Sequence, residues 1–159
     1  MKPLATTVRC STERETLALG ERIGRVLEPG DLIVLTGPLG AGKTVMVRGI
    51  AVGTGADPRT VRSPTFVFHH VYPGAGLTLH HLDLYRLGAN ADHRFLDIAA
   101  LLEEGGAVVE WGELADLRRF QPTVVTLSIA GDSSRLIALA DGAPLRVVTA
   151  WCGDDRTHP

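Results

Sequence analysis

The chain has 159 residues and a formal net charge of −2, long enough for one sizeable core and without the basic field that a solitary grip on RNA or DNA requires. Its 18 glycines and 9 prolines fall below the roughly 25–30% that marks disorder. No apolar run approaches the ~18 residues of a membrane span, the start from Met1 to Thr7 lacks a signal-peptide core, and two cysteines, Cys10 and Cys152, are too few for a disulfide scaffold or zinc site.

In chain order, Ser11 to Glu15 reads as a helix start, with Thr12 and Glu15 at capping-box spacing. Leu17, Gly20, Ile23 and Leu27 then recur at helical spacing until Pro29-Gly30 stops the pattern. Leu32 to Leu35 is apolar at consecutive positions, which suits a strand buried on both faces. A helix is expected from Lys43 to about Val52, with Met46, Val47, Ile50 and Ala51 facing the core and Gly53-Thr54-Gly55 ending it. Ser63-Pro64 forces an extended conformation, and two β-type runs follow, Phe66 to Tyr72 and Leu77 to Tyr85, joined at Pro73 to Gly76 as a hairpin. The sheet is therefore expected to be mixed. A short helix is expected around Leu96 to Glu104, a buried strand over Ala107 to Glu110, and another short helix from Glu113 to Phe120. From Val124 to Trp151 the reading is three strands with turns at Gly131 to Ser134 and Asp141-Gly142. The whole is expected to form one domain over 1–159, with 1–10 and 153–159 frayed.

The stretch that organises these elements is Gly37-Pro38-Leu39-Gly40-Ala41-Gly42-Lys43-Thr44, which fits the phosphate-loop pattern G-x-x-x-x-G-K-[ST] between a strand and a helix. Its glycines let backbone N–H groups turn in on a triphosphate. Lys43 is expected to reach the β- and γ-phosphates, Thr44 to offer a hydroxyl to Mg2+, and the helix N-terminus to add its dipole. Alternation over Leu77 to Tyr85 puts His81 and Asp83 on one face at a strand end, where a carboxylate holds Mg2+ through water or orients an attacking water; a strand-terminating acid is the plainer reading of Asp83, and packing or a polar pair that of His81. Glu110 ends an apolar strand in the manner of a Walker B acid, with a surface acid as the alternative. Thr65, between the loop's helix and the next strand, suits a switch segment that senses the γ-phosphate. Trp111 either covers the site or packs in the core, and Thr16 is a candidate for an adenine pocket.

In that order, the loop, Ser63-Pro64-Thr65-Phe66, His81-x-Asp83-x-Tyr85-Arg86 and Glu110-Trp111 resemble the TsaE family, small bacterial ATPases of tRNA threonylcarbamoyladenosine synthesis. The resemblance runs from about Ser11 to Trp111. It implies an α/β, phosphate-loop NTPase-like three-layer fold with a mixed central sheet, forming an ATP-binding domain in the cytoplasm. It further implies Mg2+ among Thr44, Asp83 and Glu110, a switch-like loop at Thr65, and Trp111 close to the nucleotide. Its implied partners are TsaB and TsaD, with tRNA reached only through them; TsaD transfers the threonylcarbamoyl group, and ATP hydrolysis resets the complex. Val45 departs from the family in replacing a hydroxyl residue, and Ala89 to Asp97 is divergent. A small-molecule or nucleoside kinase would use the same loop, but a hairpin follows here where such kinases place acceptor-site helices and an Arg-rich lid. A GTPase lacks support, since neither Asn-Lys-x-Asp nor D-x-x-G is present. A non-hydrolysing ATP-sensing module is the third alternative.

Overall fold

A computed structural model describes residues 6–61, 68–85 and 96–153. The segments with Arg62, Ser63, Pro64, Thr65, Phe66 and Arg86 lie outside the described residues, as does most of the divergent stretch and the end after Gly153.

Seven strands form one sheet: β1 (Thr7–Cys10), β2 (Leu32–Thr36), β3 (His69–Tyr72), β4 (Leu79–Asp83), β5 (Gly106–Glu110), β6 (Thr123–Ile129) and β7 (Arg135–Leu139), in the spatial order β1-β7-β6-β2-β5-β4-β3. The centre, β6-β2-β5-β4, is parallel, and both flanks are antiparallel, so the sheet is mixed as expected. Among the described residues four helices accompany it: α1 (Glu13–Gly24), α2 (Lys43–Gly53), α3 (Ile98–Glu104) and α4 (Leu145–Cys152).

The layering follows from which side chains each strand sends to which face. Ile33, Leu35, Leu79, Val108, Val125 and Leu127 join Leu19, Ile23, Met46, Ile50, Val147 and Trp151 in one core. Leu32, Val34, Leu82, Ala107 and Val109, their strand neighbours, join Ile98 and Leu117 in the other. Period-two alternation in β2 and β5 thus feeds two cores at once, and consecutive apolar residues are what a sheet covered on both faces requires. The result is three layers.

Several elements differ from the sequence expectation. The N-terminal stretch assigned to fraying contains β1, which pairs antiparallel with β7 from Thr7↔Ala138 to Cys10↔Arg135; the backbone ladder fixes an edge that the short sequence does not advertise. Glu113 to Phe120 is not one helix but two 3-10 turns, Gly112–Leu114 and Arg118–Phe120, because Ala115 between them is extended (φ −126°, ψ 151°). The third strand expected before Trp151 is α4, whose Val147 and Trp151, four residues apart, bury together against α1. Arg22 fastens the end of α4, donating to the carbonyls of Ala150 at 3.0 Å and Trp151 at 3.3 Å.

Helices α1 and α2 cross with almost nothing between them. A Cβ on Gly20 would meet the Met46 carbonyl oxygen at 2.5 Å, on Gly24 that of Ile50 at 2.1 Å, and on Gly49 that of Leu17 at 2.2 Å. These glycines are required by close backbone approach, not by turn geometry. The start of α1 is capped as the sequence indicates, with the Glu15 N–H donating to Thr12 Oγ1 at 3.2 Å. The reciprocal bond comes from the Ser11 N–H to Glu15 Oε2 at 2.6 Å, one residue outside the usual capping-box donor.

Candidate functional site

The loop between β2 and α2 opens at the C-terminal end of the parallel strands, beside the point where the chain, having filled one side of β2 with β3, β4 and β5, crosses it to place β6 on the other. Such a switch point leaves a crevice in open α/β sheets. Gly37, Gly40 and Gly42 have φ of 139°, 78° and 94°, as their residue type predicts. Gly37 has a second reason to lack a side chain, because a Cβ there would lie 2.3 Å from the Leu127 carbonyl oxygen on β6.

A cavity of about 560 Å3 lies over this end of the sheet. Leu39, Gly40, Ala41, Gly42, Lys43 and Thr44 form its loop wall, and Asp83, Tyr85, Glu110 and Trp111 its opposite wall. Gly37 and Pro38 do not line it; their carbonyls instead accept from Lys43 Nζ at 2.6 and 2.9 Å. Lys43 is 5% exposed, with its ammonium 4.1 Å from the centre of the Trp111 ring, a cation–π contact. Burial pulls the Lys43 pKa below its ordinary value, opposed by the charges of Glu110, Glu113 and Asp83. Trp111 follows Glu110 directly with φ 59°, a left-handed conformation uncommon for a bulky residue. That turn puts its ring between Lys43 and Tyr85, whose ring centre is 5.0 Å away.

The two strand-end acids meet. β4 and β5 are in register with Asp83 opposite Glu110. Glu110, 3% exposed, accepts from the Thr44 hydroxyl at 3.0 Å and from His81 Nε2 at 3.2 Å, both on Oε1. Asp83 accepts the Tyr85 backbone N–H at 3.0 Å. Burial pushes the Asp83 carboxyl above the usual carboxylate range, with that N–H opposing and the Glu110 charge adding to the rise. One hydroxyl and two carboxylates thus converge beside the lysine that opens α2.

Residues 10–137 match the family model described as threonylcarbamoyl adenosine biosynthesis protein TsaE. The chain belongs to the TsaE family. The tRNA threonylcarbamoyladenosine biosynthesis protein TsaE of Treponema pallidum (strain Nichols) is 39% identical over 140 residues, which is 84% of this chain and 100% of that protein. Its counterpart from Streptomyces coelicolor is 46% identical over 98 residues, 60% of this chain and 66% of that one. Among solved structures, the crystal structure of Bacillus subtilis YdiB aligns with a TM-score of 0.63 at 28% identity, covering 84% of this chain and 82% of the other. TsaE membership ties the chain to tRNA threonylcarbamoyladenosine biosynthesis.

In this TsaE chain Lys43, Thr44, Asp83, Glu110 and Trp111 line one cavity, and Thr16 also lines it. Thr65 lies outside the described residues. What the sequence reading missed is the contribution of the C-terminal strands, where it named no candidate site residue. Asp132, Ser133 and Arg135 form part of the cavity wall. Arg135 Nε donates to the Ala41 carbonyl at 3.2 Å and Nη2 to that of Gly40 at 3.1 Å, while Nη1 holds the Ser134 carbonyl at 2.9 Å. One guanidinium therefore ties the glycine-rich loop to the β6–β7 turn. No motif marks Arg135; the only sequence signal is an arginine directly after the polar turn.

Proposed function

We propose that the chain binds Mg2+-ATP in this cavity and hydrolyses it in the cytoplasm, as the ATPase subunit that resets a tRNA threonylcarbamoyladenosine-forming complex with TsaB and TsaD, tRNA being contacted through that complex. The observation that carries the reading is the Thr44–Glu110 hydrogen bond at the foot of the cavity. The single proton of the Thr44 hydroxyl goes to Glu110, which leaves the oxygen's lone pairs for a cation. Thr44, Glu110 and Asp83 are all oxygen donors, a set that suits Mg2+, which takes few protein ligands and completes its shell with water and phosphate. Mg2+, when bound, neutralises charge that builds on the phosphate oxygens.

The protein's own groups divide the remaining work. Backbone N–H groups of the loop and the N-terminus of α2 receive the phosphates, and the Lys43 ammonium, already desolvated, adds a fixed positive charge. Asp83 and Glu110 hold and orient water on the side away from the loop. Thr16 and Glu13 line the cavity on the α1 side, which suits the base end of the nucleotide. No helix among the described residues is long and apolar enough to cross a membrane.

The test is steady-state ATPase activity of the purified chain, then with TsaB and TsaD titrated in, alongside pull-down of the pair in ATP and in ADP. Slow turnover alone, raised by the pair, together with nucleotide-dependent capture is the expected result. Fast turnover that ignores the pair rejects this account in favour of a free-standing enzyme, and ATP binding without cleavage under any condition reduces the chain to a sensor.

A further inference from the structure

His81 stands out as a wholly buried imidazole, paired across the ladder with His70 of β3. It is 0% exposed on β4, between Leu79 and Asp83 and in register with Val108 of β5. Its Nε2 lies 3.2 Å from Glu110 Oε1, and its Nδ1 lies 3.2 Å from the Tyr72 hydroxyl on β3. A carboxylate oxygen only accepts, so the ring N–H sits on Nε2, and in a neutral imidazole Nδ1 is left to accept from the Tyr72 O–H. The Tyr72 ring, 2% exposed and 5.9 Å from that of His81, is itself packed in the core and has little room to move. A line of hydrogen bonds therefore runs from the edge strand β3 through β4 to Glu110 on β5 and on to Thr44 at the head of α2.

We propose that His81 is a positioning residue for Glu110, holding the carboxylate in the orientation that presents it to Thr44 and the metal side of the cavity, with Tyr72 fixing the imidazole in turn. The inference rests on the Mg2+-ATP reading above. The physical argument is that Oε1 takes both donors, Thr44 and His81, from different elements, so rotation about the last torsion of Glu110 breaks two bonds at once. Removing the imidazole leaves a carboxylate anchored by a single hydroxyl, free to turn its charge away. Each nitrogen of a buried imidazole costs desolvation unless paired, and here both are paired, Nε2 with Glu110 and Nδ1 with Tyr72. Carboxylates and imidazoles that orient a metal's immediate ligands have effects of about 10- to 100-fold on metal affinity or activity when changed.

The experiment compares wild type with H81L, which fills the space without nitrogens, H81Q, whose amide N–H reaches about where Nε2 does, and Y72F. Nucleotide affinity is measured calorimetrically for ATP with Mg2+ and with EDTA, kcat is followed over a Mg2+ titration, and each variant is melted without ligand. Expected for H81L is an ATP affinity in EDTA within about twofold of wild type, loss of most of the Mg2+-dependent gain in affinity, and a kcat lower by about 10- to 100-fold. H81Q is expected to restore most of both. H81L that folds and keeps the wild-type response to Mg2+ overturns the proposal, as does a loss that tracks the drop in melting temperature and is not recovered in H81Q. Should H81L not fold, Y72F decides in its place, with a smaller loss in the same Mg2+-dependent quantity expected and an unchanged response contradicting the role. Wild type that binds Mg2+-ATP without cleaving it defeats the hydrolytic reading alone, because the affinity comparison still reports on His81; wild-type affinity indifferent to Mg2+ defeats both.

Discussion

Asp83 and Glu110 end two adjacent parallel strands at the same level, opposite one another, at the floor of one cavity. The Asp83 carboxyl so placed has its pKa raised chiefly by burial, with the Glu110 charge adding to the rise. The native state then holds the Asp83 proton more firmly than the unfolded chain does. The sign follows: stability from this group is greatest below the ordinary carboxyl pKa, is lost as pH rises through the raised native value, and stays lost at pH 7. D83N is expected to melt higher than wild type at pH 7 without Mg2+, to keep ATP binding, and to lose hydrolysis. E110Q, which preserves an oxygen for Thr44 and His81 to donate to, is expected to retain the fold and ATP and also to lose hydrolysis. Calorimetric melts and ATPase assays of both check this; a D83N that melts lower than wild type contradicts the account of Asp83.

Lys43→Ala is expected to weaken ATP binding by about tenfold to a hundredfold, the worth of a charge-assisted contact of roughly 1.5–3 kcal/mol. The fold should survive, because Lys43 contributes charge and two loop hydrogen bonds but is not part of either apolar core. Isothermal titration with ATP, paired with circular dichroism, measures both halves. An unchanged affinity would sink the loop assignment.

Arg135 has a separate role, bracing the loop from outside it. Arg135→Ala removes the donors to Gly40 and Ala41 and is expected to lower ATP affinity by roughly 1.5–3 kcal/mol, that of hydrogen bonds involving a charged group. Arg135→Lys should recover little, since a point ammonium cannot reproduce the fork that spans the loop and turn carbonyls. Hydrogen exchange across residues 38–42 offers a direct reading: faster exchange in R135A is expected, and wild-type protection there would show that the brace is dispensable.

Gly24→Ala tests the α1–α2 crossing. Helix propensity alone favours alanine by about 1 kcal/mol, yet its Cβ would lie 2.1 Å from the Ile50 carbonyl oxygen and 2.9 Å from the Gly53 Cα. Backbone atoms cannot rotate away, so overpacking of about 1–3 kcal/mol or more should prevail. Urea unfolding gives the answer, a gain in stability being the result that denies the close contact.

What the sequence made legible was everything that repeats a local rule. Thr12 and Glu15 marked the start of α1, the glycine-rich loop marked the junction of β2 and α2, and the apolar run into Glu110 marked β5 and the acid at its end. The misreadings share a cause: tertiary context overrides local preference. Val147, Val148 and Trp151 are β-favouring types, and Pro144 and Gly153 bracket them equally well as a strand or as a helix. Burial of Val147 and Trp151 on one side decides for α4. For β1, four residues with alternating exposure carry too little pattern, and only the ladder to β7 specifies them. The pairing of His81 with Glu110 crosses two strands, and the grip of Arg135 spans 94 residues to Ala41. No spacing rule within a single element reports either.

The glycine crossing has a mechanical meaning for the cavity. α1 brings Glu13 and Thr16 to its lining, and α2 brings Lys43 and Thr44. Because these helices touch backbone to backbone at Gly20, Gly24 and Gly49, no side-chain rotamer separates them and none can slide to change their spacing. The relative placement of the two helix backbones that carry these lining residues is then fixed by the fold. A molecule entering this cavity meets one unyielding wall, and whatever adjustment it provokes must come from the strand ends and loops that face that wall.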